Sequence, residues 1–151
     1  MITENYIKMC EQAEEIQKSN INIGKRHFSN QDFVAYNFRE GLKVYICSEI
    51  SRYWLIDDLI WLPTQEQLQE IILPIFLKRF STTHALRNDS SFICRMIIEK
   101  FQRWINRSSP SFDEYMAMFN DLNELWIAFV MKEKYNKIWT GEKWEVMKPN
   151  E

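Results

Sequence analysis

The sequence predicts an α+β fold that is mainly helical, with an N-terminal helix, a central β-hairpin and a C-terminal helical half. Apolar residues recur at helical spacing near the start of the chain, alternate with polar residues from Phe33 to Cys47, and form an almost continuous run from Leu125 to Met131. The chain has 151 residues, of which 46% are apolar, and this suits one compact core. We therefore expect a single domain that spans residues 1–151.

The first two elements are an amphipathic helix from Thr3 to about Ser19 and the central hairpin. A two-residue hairpin loop would place the apolar residues of the two strands on opposite faces. We therefore expect a three-residue loop that pairs Phe38 with Leu42, in which Gly41 supplies a positive φ.

The middle of the chain contains one clear helix start and two ambiguous stretches. Thr64 and Gln67 form a capping box that begins a helix, and Pro74 is expected to stop or kink it. The stretch from Ser48 to Leu59 suits a helix or a strand, and we favour a strand near Trp54. The segment from Ile75 to Asn88 suits helix, strand or loop equally.

In the C-terminal half of the chain, the sequence predicts three more helices. Asp89 is expected to cap the first, and Ser111 and Asp121 begin the other two, each with an acidic residue in the first turn. The apolar stripe of the first helix consists of Phe92, Met96, Phe101, Trp104 and Ile105.

The third of these helices contains the run from Leu125 to Met131, which is apolar on all sides and predicts the buried centre of the fold. A small turn or hairpin follows, with Gly141 at its tip. Trp139 and Trp144 are expected to fold back over the helix, and the alternative is that they anchor a partner.

Composition argues against several classes of function. There are 19 Lys and Arg residues against 21 acidic residues, so the net charge of −2 provides no general attraction to nucleic acid. The longest apolar run is far below the roughly 20 residues that a membrane-spanning helix needs. The first residues lack a signal-peptide pattern, so we expect a cytoplasmic protein with no membrane association.

Catalytic and metal-binding motifs are missing from the sequence. His27 and His84 have no neighbouring donors at metal-ligand spacing, and no glycine-rich phosphate loop occurs. Cys10, Cys47 and Cys94 are expected to be reduced and mostly buried, although a cysteine nucleophile paired in space with a histidine stays open. We expect no metal, no cofactor and no enzymatic activity.

The candidate binding residues lie on and beside the helix that follows Asp89. Glu99 stands within a row of arginines at helical spacing, and this favours a solvated ion-pair ladder over a nucleic-acid-binding stripe. The candidate binding residues are Arg95, Arg103, Arg107, Arg87 and Trp104.

Two segments, IWLPTQEQLQ at residues 60–69 and ELWIAFVMKEKYNKIWTGEKW at residues 124–144, resemble segments of small uncharacterised proteins encoded by phages and prophages. They cover about a fifth of the chain. The resemblance implies provenance and no site residues, but phage accessory genes commonly encode small proteins that bind, redirect or inhibit host proteins, including nucleases of defence systems.

Together with the surplus of aromatic residues, the resemblance predicts a non-catalytic binding protein that engages or inhibits a host or defence protein. The alternative is a nucleic-acid-binding regulator that uses the arginine face. A homodimer is compatible with both.

Overall fold

The computed structural model describes residues 1–19, 21–22, 25–26, 32–38, 41–47, 59–79 and 90–149. Within them the chain has the predicted α+β, mainly helical fold, with an N-terminal helix, a central hairpin and a helical C-terminal half. The elements are, in order, α1 (Glu4–Gln12), α2 (Glu14–Ser19), β1 (Ile21–Asn22), β2 (Lys25–Arg26), β3 (Phe33–Phe38), β4 (Gly41–Ile46), β5 (Ile60–Leu62), α3 (Gln65–Arg79), α4 (Ser90–Ile105), α5 (Pro110–Met116), α6 (Leu122–Tyr135), β6 (Lys137–Trp139) and β7 (Trp144–Val146).

The N-terminal helix is broken in two, whereas the sequence predicted one continuous helix. The break falls at Ala13, whose φ of −87° and ψ of 72° lie outside the helical region. After the break, the buried amide of Gln17 donates to the carbonyls of Cys10 (3.0 Å) and Trp61 (2.9 Å) and accepts from the Trp61 N–H (2.9 Å). After the break, the Gln17 side chain therefore provides hydrogen-bond partners for a carbonyl at the end of α1 and for the main-chain groups on the outer edge of β5.

The three-stranded antiparallel sheet has the order β4-β3-β5 and differs from the predicted register. Phe38 pairs with Gly41, so the loop has two residues and the prediction of three was wrong. The three-residue loop was predicted on the assumption that only one face of the hairpin is buried. That assumption is wrong because β3 is the central strand, and its successive residues Val34 and Ala35, which face opposite sides, are both fully buried. β4 is partly solvated, and its Val44 is 38% exposed. Gly41 does have a positive φ, of 112°.

The predicted capping box starts α3. The Thr64 N–H donates to Gln67 Oε1 at 2.8 Å, and the Gln67 N–H donates to Thr64 Oγ1 at 3.3 Å. Pro74 does not stop the helix, which continues to its end at residue 79 with the proline ring exposed. Pro74 has no N–H to donate to the Glu70 carbonyl, one turn earlier. Lys134 of α6 donates to the neighbouring Ile71 carbonyl at 3.1 Å.

Several predictions fall outside the described residues. They concern a strand near Trp54, the cap at Asp89, the histidines His27 and His84, residues 80–88 and the candidate binding residue Arg87.

The central helix is α6, as predicted. Every residue from Trp126 to Met131 is at most 3% exposed, so this helix is buried on all sides. Asp121 caps its start by accepting from the Glu124 N–H at 3.0 Å, and Asn136 ends it in the left-handed conformation, at φ 55° and ψ 41°.

The apolar stripe of α4 is rotated from the predicted one. Ile93 and Ile97 are buried together with Phe101 and Trp104, whereas Phe92, Met96 and Ile105 are only partly buried. The predicted stripe omitted both isoleucines because the run of apolar residues in this segment allows more than one helical face.

The carboxylate of Glu124 is fully buried and is surrounded by hydrogen-bond donors. It accepts from Asn5 Nδ2 (2.8 Å), the Asn120 N–H (2.8 Å), the Asn120 side-chain amide and the Thr3 hydroxyl. This network links the start of α1 to the start of α6. A buried carboxylate of this kind needs all of its donors.

The β6–β7 hairpin also packs on α1, so the two ends of the described chain lie together. Trp139 is 1% exposed and Trp144 is 9% exposed, and Trp144 Nε1 donates to the Met9 carbonyl at 3.0 Å. Gly141 lies in the turn with a φ of 95°. Both tryptophans are buried as expected, but the hydrogen bond of Trp144 is to α1 and not to the predicted helix α6. Rings that are so little exposed do not protrude as anchors for a partner.

None of the helices in the described ranges combines the length and apolar character required to cross a membrane.

Candidate binding groove

A groove with a volume of about 780 Å³ lies between the α4–α5 corner and the β6–β7 hairpin. The helical wall consists of Trp104, Arg107, Ser108, Ser109, Ser111, Phe112 and Tyr115. The hairpin wall consists of Ile138, Glu145, Val146, Met147 and Lys148. Lys132 of α6 lies between the two walls.

The sharp corner between α4 and α5 forms the rim of the helical wall. Pro110 is the first residue of α5 and restricts Ser109 to an extended conformation, with φ −157° and ψ 150°. The Ser109 hydroxyl caps α5 by accepting from the Phe112 N–H at 3.2 Å, so the cap is Ser109 and not the predicted Ser111. The Arg107 N–H bonds to the Trp104 carbonyl at 3.3 Å and thereby ends the last turn of α4.

Aromatic rings join this wall to the core. Phe101 stacks on Trp126 with ring centroids 4.1 Å apart, and Trp104 contacts Phe129 at 5.6 Å and Phe112 at 6.3 Å. Phe112 and Tyr115 continue the series, with their rings 6.1 Å apart, along the groove wall. The apolar surface of the groove is therefore held rigidly by core packing.

The hairpin wall follows from the alternation of side chains along a strand. Trp139 pairs with Trp144 and Ile138 pairs with Glu145. Since successive residues face opposite sides, the tryptophans that pack on α1 direct Ile138 and Glu145 to the other face, which lines the groove.

The groove carries a local positive charge. Lys132 is 2.8 Å from Glu133, and Glu145 is 3.0 Å from Lys143, so both of these lining residues are ion-paired. In the described part of the chain, Arg107 and Lys148 have no acidic partner within 4.0 Å. One of these cations lies on each wall, in a protein whose net charge is −2.

The pKa of the Glu133 carboxyl is set by opposing effects. Burial raises it, but hydrogen bonds and charges from Lys132 and Arg79 outweigh the burial, so this pKa lies below its usual value. Arg79 Nη1 is 2.7 Å from Glu133 Oε2, which also connects α3 to α6 beside the groove.

Among the described residues that line the groove, Tyr115 supplies the one phenol. Burial raises the pKa of Tyr115 to about 12, although a hydrogen bond with the main chain of Trp139 opposes the rise. The phenol is therefore neutral at physiological pH and positions α5 against β6.

The structure brings together two of the predicted binding residues, Trp104 and Arg107. Trp104 is only 5% exposed and acts as a rigid wall more than as a protruding anchor. Arg95 and Arg103 lie on the exposed face of α4 and do not line the groove, and Arg103 is ion-paired with Glu99 as the ladder prediction expected.

Sequence reasoning missed the hairpin wall, above all Lys148. The alternation of side chains along the two strands could have indicated this wall. If two tryptophans are buried as a pair across a hairpin, then Ile138 and Glu145 share the opposite face. The polar run from Asn106 to Ser111 also marked a rim between two helices.

The cysteines are less buried than the sequence suggested. Cys10 is buried, Cys47 is partly exposed and Cys94 is exposed. Burial raises the pKa of the Cys47 thiol to about 11, and the charge of Asp32 adds to the rise. In the described ranges no cluster of three His, Cys, Asp or Glu side chains is arranged to hold a metal ion.

Comparisons with known protein families, with curated proteins and with solved structures find no match to this chain.

Proposed function

We propose that the protein is a non-catalytic binding protein that engages another protein. The observation that carries this proposal is the groove, in which aromatic, aliphatic, hydroxyl and cationic side chains line about 780 Å³ beside a rigid aromatic core. Aromatic residues and arginine are the residue types enriched in the centres of protein interfaces.

The groove chemistry suits recognition better than reaction. The Tyr115 phenol is neutral at neutral pH because its pKa is raised to about 12, so it does not serve as a base there. Among the described lining residues the one carboxylate, that of Glu145, is ion-paired with Lys143, and Ser109 caps α5.

The proposed partner is a host protein or a component of a bacterial defence system that the protein binds or inhibits. The two segments that resemble phage and prophage proteins support this choice. The groove adds a concave surface of aromatic and cationic residues that such a contact can use.

Affinity purification from bacterial host lysate with cross-linking and mass spectrometry tests this function. A specific host protein is expected to co-purify above the level of empty resin. Recovery of no protein above background would overturn the proposal, and sedimentation of the purified chain at the mass of two copies would redirect it to self-association.

A nucleic-acid-binding regulator is the second candidate. The observation in its favour is the exposed position of Arg95 and Arg103 on one face of α4. The ion pair between Arg103 and Glu99 weighs against it, because an acid within the face repels phosphate. Binding to DNA that is steeply salt-dependent and weakened by Arg103→Glu would support this candidate.

A further inference from the structure

We infer that the groove binds an extended, acidic segment of the partner, with one large apolar side chain of that segment packed against the aromatic wall. The inference rests on the proposed function and specifies the chemistry of the partner.

The first support is charge. Arg107 on the helical wall and Lys148 on the hairpin wall are exposed cations without an acidic partner in the described chain. A carboxylate-bearing segment that lies between the walls meets a cation on each side. Arginine offers parallel N–H donors that match a carboxylate, so Arg107 is the residue on which the contact depends most.

The second support is the apolar surface. Phe112 and Tyr115 extend from the core-packed ring of Trp104, and Ile138 lies on the facing wall. The volume of about 780 Å³ falls within the range of roughly 300–1,000 Å³ typical of ligand sites. An apolar side chain inserted there gains rigid contacts at little ordering cost.

The third support is the free edge of β7, which favours an extended ligand. The Met147 N–H bonds to the Asn136 carbonyl at 2.8 Å, and the Thr140 N–H bonds to the Lys143 carbonyl at 3.0 Å. Bonded and non-bonded pairs alternate in an antiparallel ladder, so the main-chain groups of Val146 point away from β6. Val146 is 66% exposed, and its main chain has no hydrogen-bond partner among the described residues. Strand addition uses an edge of this kind.

An acidic peptide fits these features better than a nucleic acid. A phosphate backbone is bound by neutralising several successive charges. Within the described ranges the groove offers two cations without an acidic partner, Arg107 and Lys148, and Glu145 lies on its wall. Two cations beside an apolar wall suit a few carboxylates and one apolar side chain.

Fluorescence polarisation with three labelled probes tests the inference. The first is an octapeptide of alternating glutamate and apolar residues that includes one phenylalanine. The second has lysine in place of each glutamate, and the third is a single-stranded oligonucleotide of the same length. We expect binding of the acidic peptide alone, and weaker binding as the salt concentration rises from about 0.05 M to about 0.5 M.

Charge reversal locates the site. Arg107→Glu and Lys148→Glu are each expected to weaken binding of the acidic peptide by about tenfold or more, because each removes a charge-assisted contact and adds a repulsion. Arg95→Glu is the matched control, since Arg95 is exposed on α4 outside the groove, and it is expected to change binding less than about twofold.

A second measurement uses the unaltered chain and so does not depend on how the variants fold. Adding the acidic peptide to isotope-labelled protein is expected to shift the amide resonances of Ser109, Tyr115 and Val146. Equal binding of both peptides, binding of the oligonucleotide alone, no binding of any probe, or an equal effect of Arg95→Glu would each overturn the inference.

The two proposals fail in different ways. A host protein captured equally by the unaltered chain and by Arg107→Glu would leave the proposed function standing and remove the groove as its site. Groove binding of the acidic peptide, with no host protein captured, would support the groove chemistry and remove the proposed function.

Discussion

Replacing Gln17 with leucine is expected to destabilise the fold by about 3 kcal/mol. The Gln17 amide makes three buried hydrogen bonds, at 2.9–3.0 Å, to the main chain of Cys10 and Trp61. Each intramolecular hydrogen bond contributes about 1 kcal/mol net, and leucine has a similar volume but can replace none of them. The substitution leaves the Cys10 carbonyl and the Trp61 carbonyl and N–H without this partner, at a site where Gln17 is only 7% exposed.

Urea unfolding followed by tryptophan fluorescence, and thermal unfolding followed by circular dichroism, measure this loss. For a chain of 151 residues, about 3 kcal/mol corresponds to a fall in Tm of about 6–12 °C. Gln12→Leu makes the same substitution at an exposed position at the end of α1 and is expected to change the free energy of unfolding by less than about 0.5 kcal/mol.

A third variant separates loss of the donor from loss of the acceptor. Gln17→Glu keeps an acceptor for the Trp61 N–H but loses both donated bonds and buries a carboxylate, so it is expected to be at least as destabilising as Gln17→Leu. If Gln17→Leu unfolds within about 0.5 kcal/mol of the unaltered chain, then the edge of β5 does not depend on this amide, and our explanation of the break at Ala13 is wrong.

Three further predictions follow from buried or exposed polar groups. Glu124→Gln replaces a carboxylate oxygen by an amide N–H₂ that faces the neighbouring donors. It is expected to lower the free energy of unfolding by about 2–3 kcal/mol, measured by urea unfolding, and an unchanged midpoint would contradict the described network. Glu133→Gln is expected to cost at most about 1 kcal/mol at pH 7. Because the folded protein binds the Glu133 proton less readily than the unfolded chain does, this cost fades as the pH falls through the lowered folded-state pKa; a constant cost down to acidic pH would contradict it. Ellman's reagent is expected to label Cys94 rapidly, Cys47 slowly because its pKa is raised to about 11, and Cys10 only on unfolding; a rapid phase that persists in Cys94→Ser would contradict this order.

The parts of the fold that sequence could predict are those that neighbouring residues determine. The capping box of Thr64 and Gln67, the buried run of α6 and the turn at Gly141 each follow from residues within one element. The break at Ala13 could not be foreseen, because the hydrogen bond that accompanies it joins Gln17 to Trp61, 44 positions away.

The same distinction applies to the groove. The sequence predicted Trp104 on the apolar stripe and Arg107 in the arginine row of one helix. The structure ends α4 at Ile105 and has both Trp104 and Arg107 on the groove wall. The opposing wall comes from a hairpin that begins about 30 residues later, and its position depends on the packing of Trp139 and Trp144 against α1.

The contact between α1 and the last hairpin has a consequence for synthesis of the chain. Trp144 bonds to Met9 across 135 positions, and Lys8 donates to the Gly141 carbonyl across 133 positions. A ribosome makes α1 first, but the surface that covers it emerges only when residues 137–146 have left the exit tunnel. The part of the α1 surface that the hairpin covers therefore stays exposed until residues 137–146 have been made, and during that interval a chaperone has access to it.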